Sequence, residues 1–309
     1  MKNKMLIRSG LAALALMTVA SASHAHDPDE WYVGGAAGIV NGKKPTFVPA
    51  PARGSADNVG PFRKLVIRGA TLIDGTGAPP RGPYDIVVEG NKITAITQAG
   101  WPGLPQAKGR APTDADYEID ATGMYVMPGF NDMHVHTPAS DKAPDMSYAY
   151  KLWLAHGVTT VRGVPLADPV VASSEKNRSA ANEIAAPRIF NYQTLGAGWD
   201  GGPIDSPDKA RAWVKWAAAH TIDGIKFFNR GDETPAIDRA AIDEAKKLGL
   251  GTVAHLSQPN IAEFNARDAA AAGLGTITPA AGYVEPWAAL VIGAAAGAAA
   301  PRVGFVSLG

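Results

Sequence analysis

From Tyr125 onward the chain alternates short apolar runs with helical stretches, and this alternation limits the fold more than any other feature of the sequence. Strand-like runs stand at Tyr125–Met127 continuing towards His136, Val158–Arg162, Arg188–Tyr192, Ile222–Phe228, Thr252–Leu256 and Gly275–Thr278. Helical stretches near 147–156, 170–185, 207–219, 236–248 and 261–272 lie between them. Two of these carry a start signal: Ser206 before Pro207, and Thr234 before Pro235. Each puts a capping hydroxyl ahead of a proline at the first helical position. One helix per strand at a spacing of ~25–35 residues predicts a (β/α) barrel or a doubly wound sheet. No Gly-rich dinucleotide fingerprint follows any of the strands, which favours the barrel.

A complete barrel takes ~250 residues, more than the stretch from Tyr125 to Gly309 offers. The expected class is therefore α/β, with a partial (β/α) TIM-like barrel of about six of eight units. Ahead of it, Lys64–Arg68, Thr71–Ile73, Tyr84–Val88 and Lys92–Thr97 read as short strands separated by Asp74-Gly75, Pro79-Pro80 and Gly90-Asn91 turns. These predict a small β-sandwich domain over 62–123, with the barrel over 124–285. Residues 26–61 read as an irregular Gly/Pro/Ala arm. Residues 286–309 form a low-complexity tail in which Ala288 to Ala300 holds only Ala, Gly, Val, Leu and Ile.

The first 25 residues have the pattern of a signal peptide. Lys2, Lys4 and Arg8 precede the apolar run Leu11–Ala22, and Ala20-Ser21-Ala22 and Ser23-His24-Ala25 offer small-residue cleavage sites. The run is shorter than the ~20 residues of a membrane span. Export to the periplasm is expected, with no stable membrane association once the signal is removed. Lys+Arg and Asp+Glu both number 29, so no charge surplus points to nucleic acid. The absence of cysteine excludes disulfides, thiolate metal sites and a cysteine nucleophile. A metal would have to be held by His, Asp, Glu or a modified Lys.

The sharpest motif is Pro128-Gly129-Phe130-Asn131-Asp132-Met133-His134-Val135-His136. Side chains two apart on a strand share a face. His134 and His136 would thus project together into the barrel while Val135 points to the helices, and two imidazoles at a strand end can bind one ion. His24 and His26 have the same spacing but fall in the cleavage zone. Lys226 lies in Ile222-Asp223-Gly224-Ile225-Lys226-Phe227-Phe228. A strand lysine is most simply exposed, yet these neighbours suggest burial on both faces, where a free ammonium is costly. Carbamylation by carbon dioxide would turn it into an anionic ligand able to bridge two ions. His255 stands near a strand end one β/α unit later, either as a ligand or as a hydrogen-bonded structural residue. His156 and His220 read as helix-terminal residues favoured by the dipole. Trp199 and Asp200 read as a packed loop tryptophan with a turn aspartate rather than as pocket residues.

Several runs together carry a family pattern: Leu72-Ile73-Asp74-Gly75-Thr76-Gly77, Ile119-Asp120-Ala121-Thr122-Gly123, the Asp-x-His-x-His segment and Gly157-Val158-Thr159-Thr160-Val161-Arg162. Over roughly residues 63 to 278 the chain resembles the metal-dependent amidohydrolase superfamily, nearest its imidazolonepropionase-like and prolidase-like members. The resemblance implies one or two divalent ions, Zn2+ foremost, on His134, His136, carbamylated Lys226 and His255. It gives Asp132 the part of orienting the pair, with a solvent-facing carboxylate as the plain alternative. Two features depart from the family. Gly275–Thr278 offers no strand-six histidine, and no Asp follows Asp268 to serve as the proton-accepting aspartate. That pattern suits a chain truncated or frameshifted towards its C-terminus. The function it implies is metal-activated hydrolysis of an amide, cyclic amide or dipeptide bond in a small-molecule or dipeptide-like substrate, with oligomerisation compatible. A catalytically inactive metal- or ligand-binding remnant of the same fold is the alternative. An unrelated α/β binding protein is the third reading.

Overall fold

A computed structural model of the protein describes residues 46–57, 60–228, 233–256 and 263–278. The signal segment at 1–25, most of the 26–61 arm and the 286–309 tail lie outside the described residues. The first layer is a sheet of five strands: β1 (Lys64–Leu72), β2 (Arg81–Glu89), β3 (Lys92–Gln98), β4 (Tyr117–Asp120) and β5 (Tyr125–Val126). The spatial order is β3-β2-β1-β4, with β5 also on β1. β1 is one strand where the sequence suggests two runs. Gly69, at φ +70, takes up the register shift between Ile67 and Ala70, a backbone region that glycine enters at little cost.

Two expectations change here. Among the described residues this layer is a single mixed sheet rather than a sandwich. Tyr125–Val126 does not lead into the barrel: Thr71 pairs with Tyr125 and Leu72 with Val126, in parallel. Its apolar character matched a barrel strand, but the Pro128-Gly129 break ends it, and the parallel sheet starts afresh at Phe130.

The second layer runs β6 (Phe130–Val135), α1 (Ser147–Ala155), β7 (Val158–Gly163), α2 (Pro169–Ala180), β8 (Arg188–Thr194), α3 (Pro207–Ala219), β9 (Gly224–Phe227), α4 (Pro235–Leu248), β10 (Gly251–Ala254), α5 (Ala266–Ala272) and β11 (Thr276–Ile277). All six strands pair in parallel and in chain order, as successive βαβ units require. This is a curled partial barrel. Residues of one parity point outward to the helices. Val135, Val161 and Ile189 pack with Met146, Tyr150 and Ala172. Ile225, Phe227, Ala254 and Ile277 pack with Trp213, Val214, Ile237 and Ile242. Burial of this kind, at about 1.5–3 kcal/mol per large side chain, holds the helices on the sheet.

The helix starts are local. Ser206 accepts from Lys209 N–H and Thr234 from Ile237 N–H, each with proline next in line. Asp168 does the same for α2, accepting from the N–H groups of Val170 and Val171 ahead of Pro169. Asn265 and Asp268 form a capping box that starts α5 at Ala266, later than the pattern over 261–272 predicts. His156 and His220 are the C-caps of α1 and α3, their Nδ1 atoms 2.8 Å and 2.7 Å from the carbonyls of Leu152 and Trp216. Trp199 packs against the outer core, the loop role foreseen for it.

Candidate active site

Residues of the opposite parity face the barrel interior. On β6 and just past it these are Asp132, His134 and His136. The two histidines meet, Nε2 to Nε2, at 3.2 Å with their rings edge to face. Each is fixed from behind. His136 Nδ1 lies 2.8 Å from the Pro165 carbonyl, which can only accept, so Nδ1 carries the proton and Nε2 a lone pair. His134 Nδ1 lies 2.9 Å from the Thr278 hydroxyl, across the barrel and 144 positions away in sequence. Burial, and after it the charges of Lys226, His136, His255 and Arg162, push His134 down to about 2. It is therefore a neutral imidazole near neutral pH, the form that binds metals. Asp132 holds the backbone rather than a ring: its Oδ1 accepts from His134 N–H at 3.1 Å.

Lys226, at 1% exposure, points inward from β9 as its neighbours suggest. Its Nζ donates to the Thr278 carbonyl at 3.4 Å and sits 5.0 Å over the Phe228 ring. Burial, then the Arg162 charge, lower it to about 7. His255 follows β10, its N–H donating to the Phe227 carbonyl and its ring 6.2 Å from that of Phe228. Thr278 therefore links the ends of β6 and β9 at the strand end where the sequence offers no histidine.

Arg162 spans the interior, a place in the site that no sequence pattern marks. Its Nε donates to the Met133 carbonyl at 2.8 Å, its Nη1 to Thr276 Oγ1 at 3.1 Å, and its guanidinium lies 5.1 Å over the Tyr192 ring. The tyrosine in turn crosses Gly224 and Gly251, where a Cβ would come within 2.3 Å of its ring and 1.8 Å of its hydroxyl oxygen. Asp238, in the first turns of α4, was also missed. It is 1% exposed, neither carboxylate oxygen has a hydrogen-bond partner among the described residues, and burial followed by the Glu233 charge raises it.

The donor set suits a divalent ion in part. Two nitrogen ligands of a tetrahedral ion at ~2.0–2.1 Å stand about 3.3 Å apart, close to the spacing of the histidine pair. Among the described residues no group of three His, Asp or Glu side chains comes together closely enough to hold an ion.

A family model for the ammonium transporter family matches residues 248–306. That stretch takes in β10, α5 and β11 of the parallel sheet, and among the described residues no helix is long and apolar enough to cross a membrane. A dihydroorotase from Bacillus subtilis is 32% identical over 52% of the chain and 36% of its own length. An N-acyl-D-aspartate deacylase from Alcaligenes xylosoxydans is 31% identical over 64% of the chain and 37% of its own. The chain thus spans little more than a third of the length of these relatives. A solved Xaa-Pro dipeptidase structure superposes with a TM-score of 0.54 at 23% identity, over 69% of this chain and 61% of that one. That likeness is one of fold.

Proposed function

Since the chain belongs to the metal-dependent amidohydrolase superfamily, whose members matched here act on carbon–nitrogen bonds, we propose that it hydrolyses an amide, cyclic amide or dipeptide bond in a small substrate. The observation that carries this reading is the His134–His136 pair, with His136 tautomerically fixed and both side chains turned into the barrel. In this proposal His134 and His136 hold a divalent ion, zinc by preference, with Lys226 and His255 completing one or two metal positions. A bound ion supplies Lewis-acid polarisation of the scissile carbonyl and a lowered pKa for water.

The protein's own residues prepare that chemistry. Thr278 and Pro165 lock the imidazoles so that little orientation is lost on binding. Burial keeps a large share of Lys226 as free amine near neutral pH. Its nitrogen can then add to the carbon of carbon dioxide, and loss of one N–H proton to solvent leaves an anionic carbamate. The surrounding positive charge, Arg162 included, favours that anion over the free ammonium. Asp132 holds the strand backbone that carries His134.

The test is metal analysis and a hydrolysis panel on the full chain expressed with zinc. The panel holds dipeptides, N-acyl amino acids and cyclic amides. Bound zinc and turnover, both lost in His134→Ala and His136→Ala, are the expected results. Absence of bound metal from folded protein would sink the reading. One observation favours a second reading, a metal- or ligand-binding protein without turnover: among the described residues no group of three His, Asp or Glu side chains comes together to hold an ion. Metal-loaded, folded protein inert across the panel would decide for it. The N-terminal pattern supports a periplasmic location, which sequencing of the mature N-terminus after fractionation would test.

A further inference from the structure

α4 buries one face against the sheet: Ala241, Ile242 and Ala245 belong to the core with Phe227, Ala254, Leu256 and Phe264. Asp238 precedes those three by three, four and seven positions, so its carboxyl lies on the same face. Both oxygens are shut off from solvent and have no hydrogen-bond partner among the described residues. A carboxylate in such a layer is far costlier than the neutral acid, so the packed helix start holds Asp238 protonated. Burial first, and then the Glu233 charge, oppose its ionisation, whereas Arg239 favours it. The Arg239 guanidinium lies over the Phe264 ring. The other charges of the packed elements are engaged or face elsewhere. On α3, Arg211 and Lys215 meet Asp243 and Glu244 further along α4. Lys226 and His255 belong to the interior face of the sheet. Asp268 is part of the α5 capping box, and Glu263 and Arg267 are exposed.

The same helix start is tied to the candidate site. Glu233 accepts from Phe228 N–H at 2.9 Å. The Phe228 ring centre lies 5.0 Å from Lys226 Nζ and 6.2 Å from that of the His255 ring. Thr234 holds the first turn itself, accepting from Ile237 N–H at its hydroxyl and from Asp238 N–H at its carbonyl. We propose that the start of α4 is a proton-operated latch on the candidate site, with Asp238 as the group that carries the proton. While Asp238 is a neutral acid, the first turn closes on the sheet and Glu233 holds Phe228 beside Lys226. When the carboxyl O–H bond breaks and the proton passes to water, the apolar layer holds a bare carboxylate near the like charge of Glu233. The first turn then lets go to hydrate it, and the bond from Phe228 to Glu233 is released with it. Opening one end turn gives up few bonds, so it is local rather than global. The latch depends on neither a bound metal nor turnover.

Hydrogen–deuterium exchange of the full chain tests this, read at the amides of Phe228, Ile237 and Asp238 and corrected for the intrinsic pH dependence of exchange. An opening that releases one proton becomes about tenfold easier per pH unit between the open-state and closed-state values of the acid. Protection at these amides should therefore fall about a hundredfold from about pH 5.5 to about pH 7.5 and level off above about pH 8. The later turns of α4 should stay better protected at each pH, which marks the opening as local. Asp238→Asn has no proton to lose and should abolish the fall. Glu233→Gln keeps an acceptor for Phe228 without the charge, so the levelling off should move to lower pH. Protection that is flat with pH in the wild type overturns the proposal. So does a fall that survives in Asp238→Asn, or a first turn as well protected as the rest of the helix. Should Asp238→Asn fail to fold, a profile left unmoved by Glu233→Gln overturns it instead.

Discussion

A carbonyl oxygen cannot donate, and that fact about Pro165 fixes the tautomer of His136. The corresponding partner of His134 is Thr278, which the sequence offered only as the place where a histidine was missing. Outer partners of metal-binding imidazoles commonly contribute 10–100-fold in affinity. Thr278→Val should therefore weaken zinc binding by roughly that factor, read by competition with a chromophoric chelator, while leaving the far-UV spectrum unchanged. Asp238 allows a prediction with a definite sign. Its folded value is raised from 3.8 to about 8, so between those values the native state holds a proton that the unfolded chain releases. Stability therefore falls as pH rises towards about 8 and stays reduced above it. Asp238→Asn should flatten that slope and stabilise the protein at pH 9 by on the order of a few kcal/mol, measured by urea denaturation against pH. The histidine pair was legible because a period of two is visible within three residues. Thr278, Arg162 and Asp238 were not, because their importance comes from partners or burial that only the tertiary fold supplies.

At the level of elements, the clearest sequence signals were chemical ones. A hydroxyl ahead of proline marked the starts of α3 and α4, and the structure puts both caps there. Asp168 ahead of Pro169 carries the same signal with a carboxylate, and Asp168→Ala should cost about 1 kcal/mol in chemical denaturation. Tyr125–Val126 shows the limit of pattern reading. Two apolar residues fit either layer, and their pairing with Thr71 and Leu72 is set by where β1 lies. The glycines of β9 and β10 make a sharper case. Their small size reads as weak strand propensity, yet the Tyr192 ring occupies the space a side chain would need. Gly251→Ala should destabilise by about 1–3 kcal/mol, in a thermal melt, by forcing the ring aside and disturbing its stacking with Arg162.

For the molecule as a whole, the alternation of strand and helix was enough to predict a curled parallel sheet with its helices outside. The number of sheets in the first layer was not predictable, since short strands with turns between them look alike in one sheet or two. A ligand that binds only the folded state stabilises it by about 2.7 kcal/mol at a hundred times its dissociation constant. Zinc should accordingly raise the melting temperature of the wild type and leave that of the His134→Ala/His136→Ala double variant unchanged, in differential scanning fluorimetry with and without chelator. The bonds that span the barrel interior also bear on how the molecule forms. Thr276 meets Arg162 across 114 positions and Thr278 meets His134 across 144, whereas each β/α unit closes over a few tens. Contacts of such long range form slowly and late. The imidazole pair then acquires its full set of restraints only when β11 docks, so the maturation of the site would report the final step of folding.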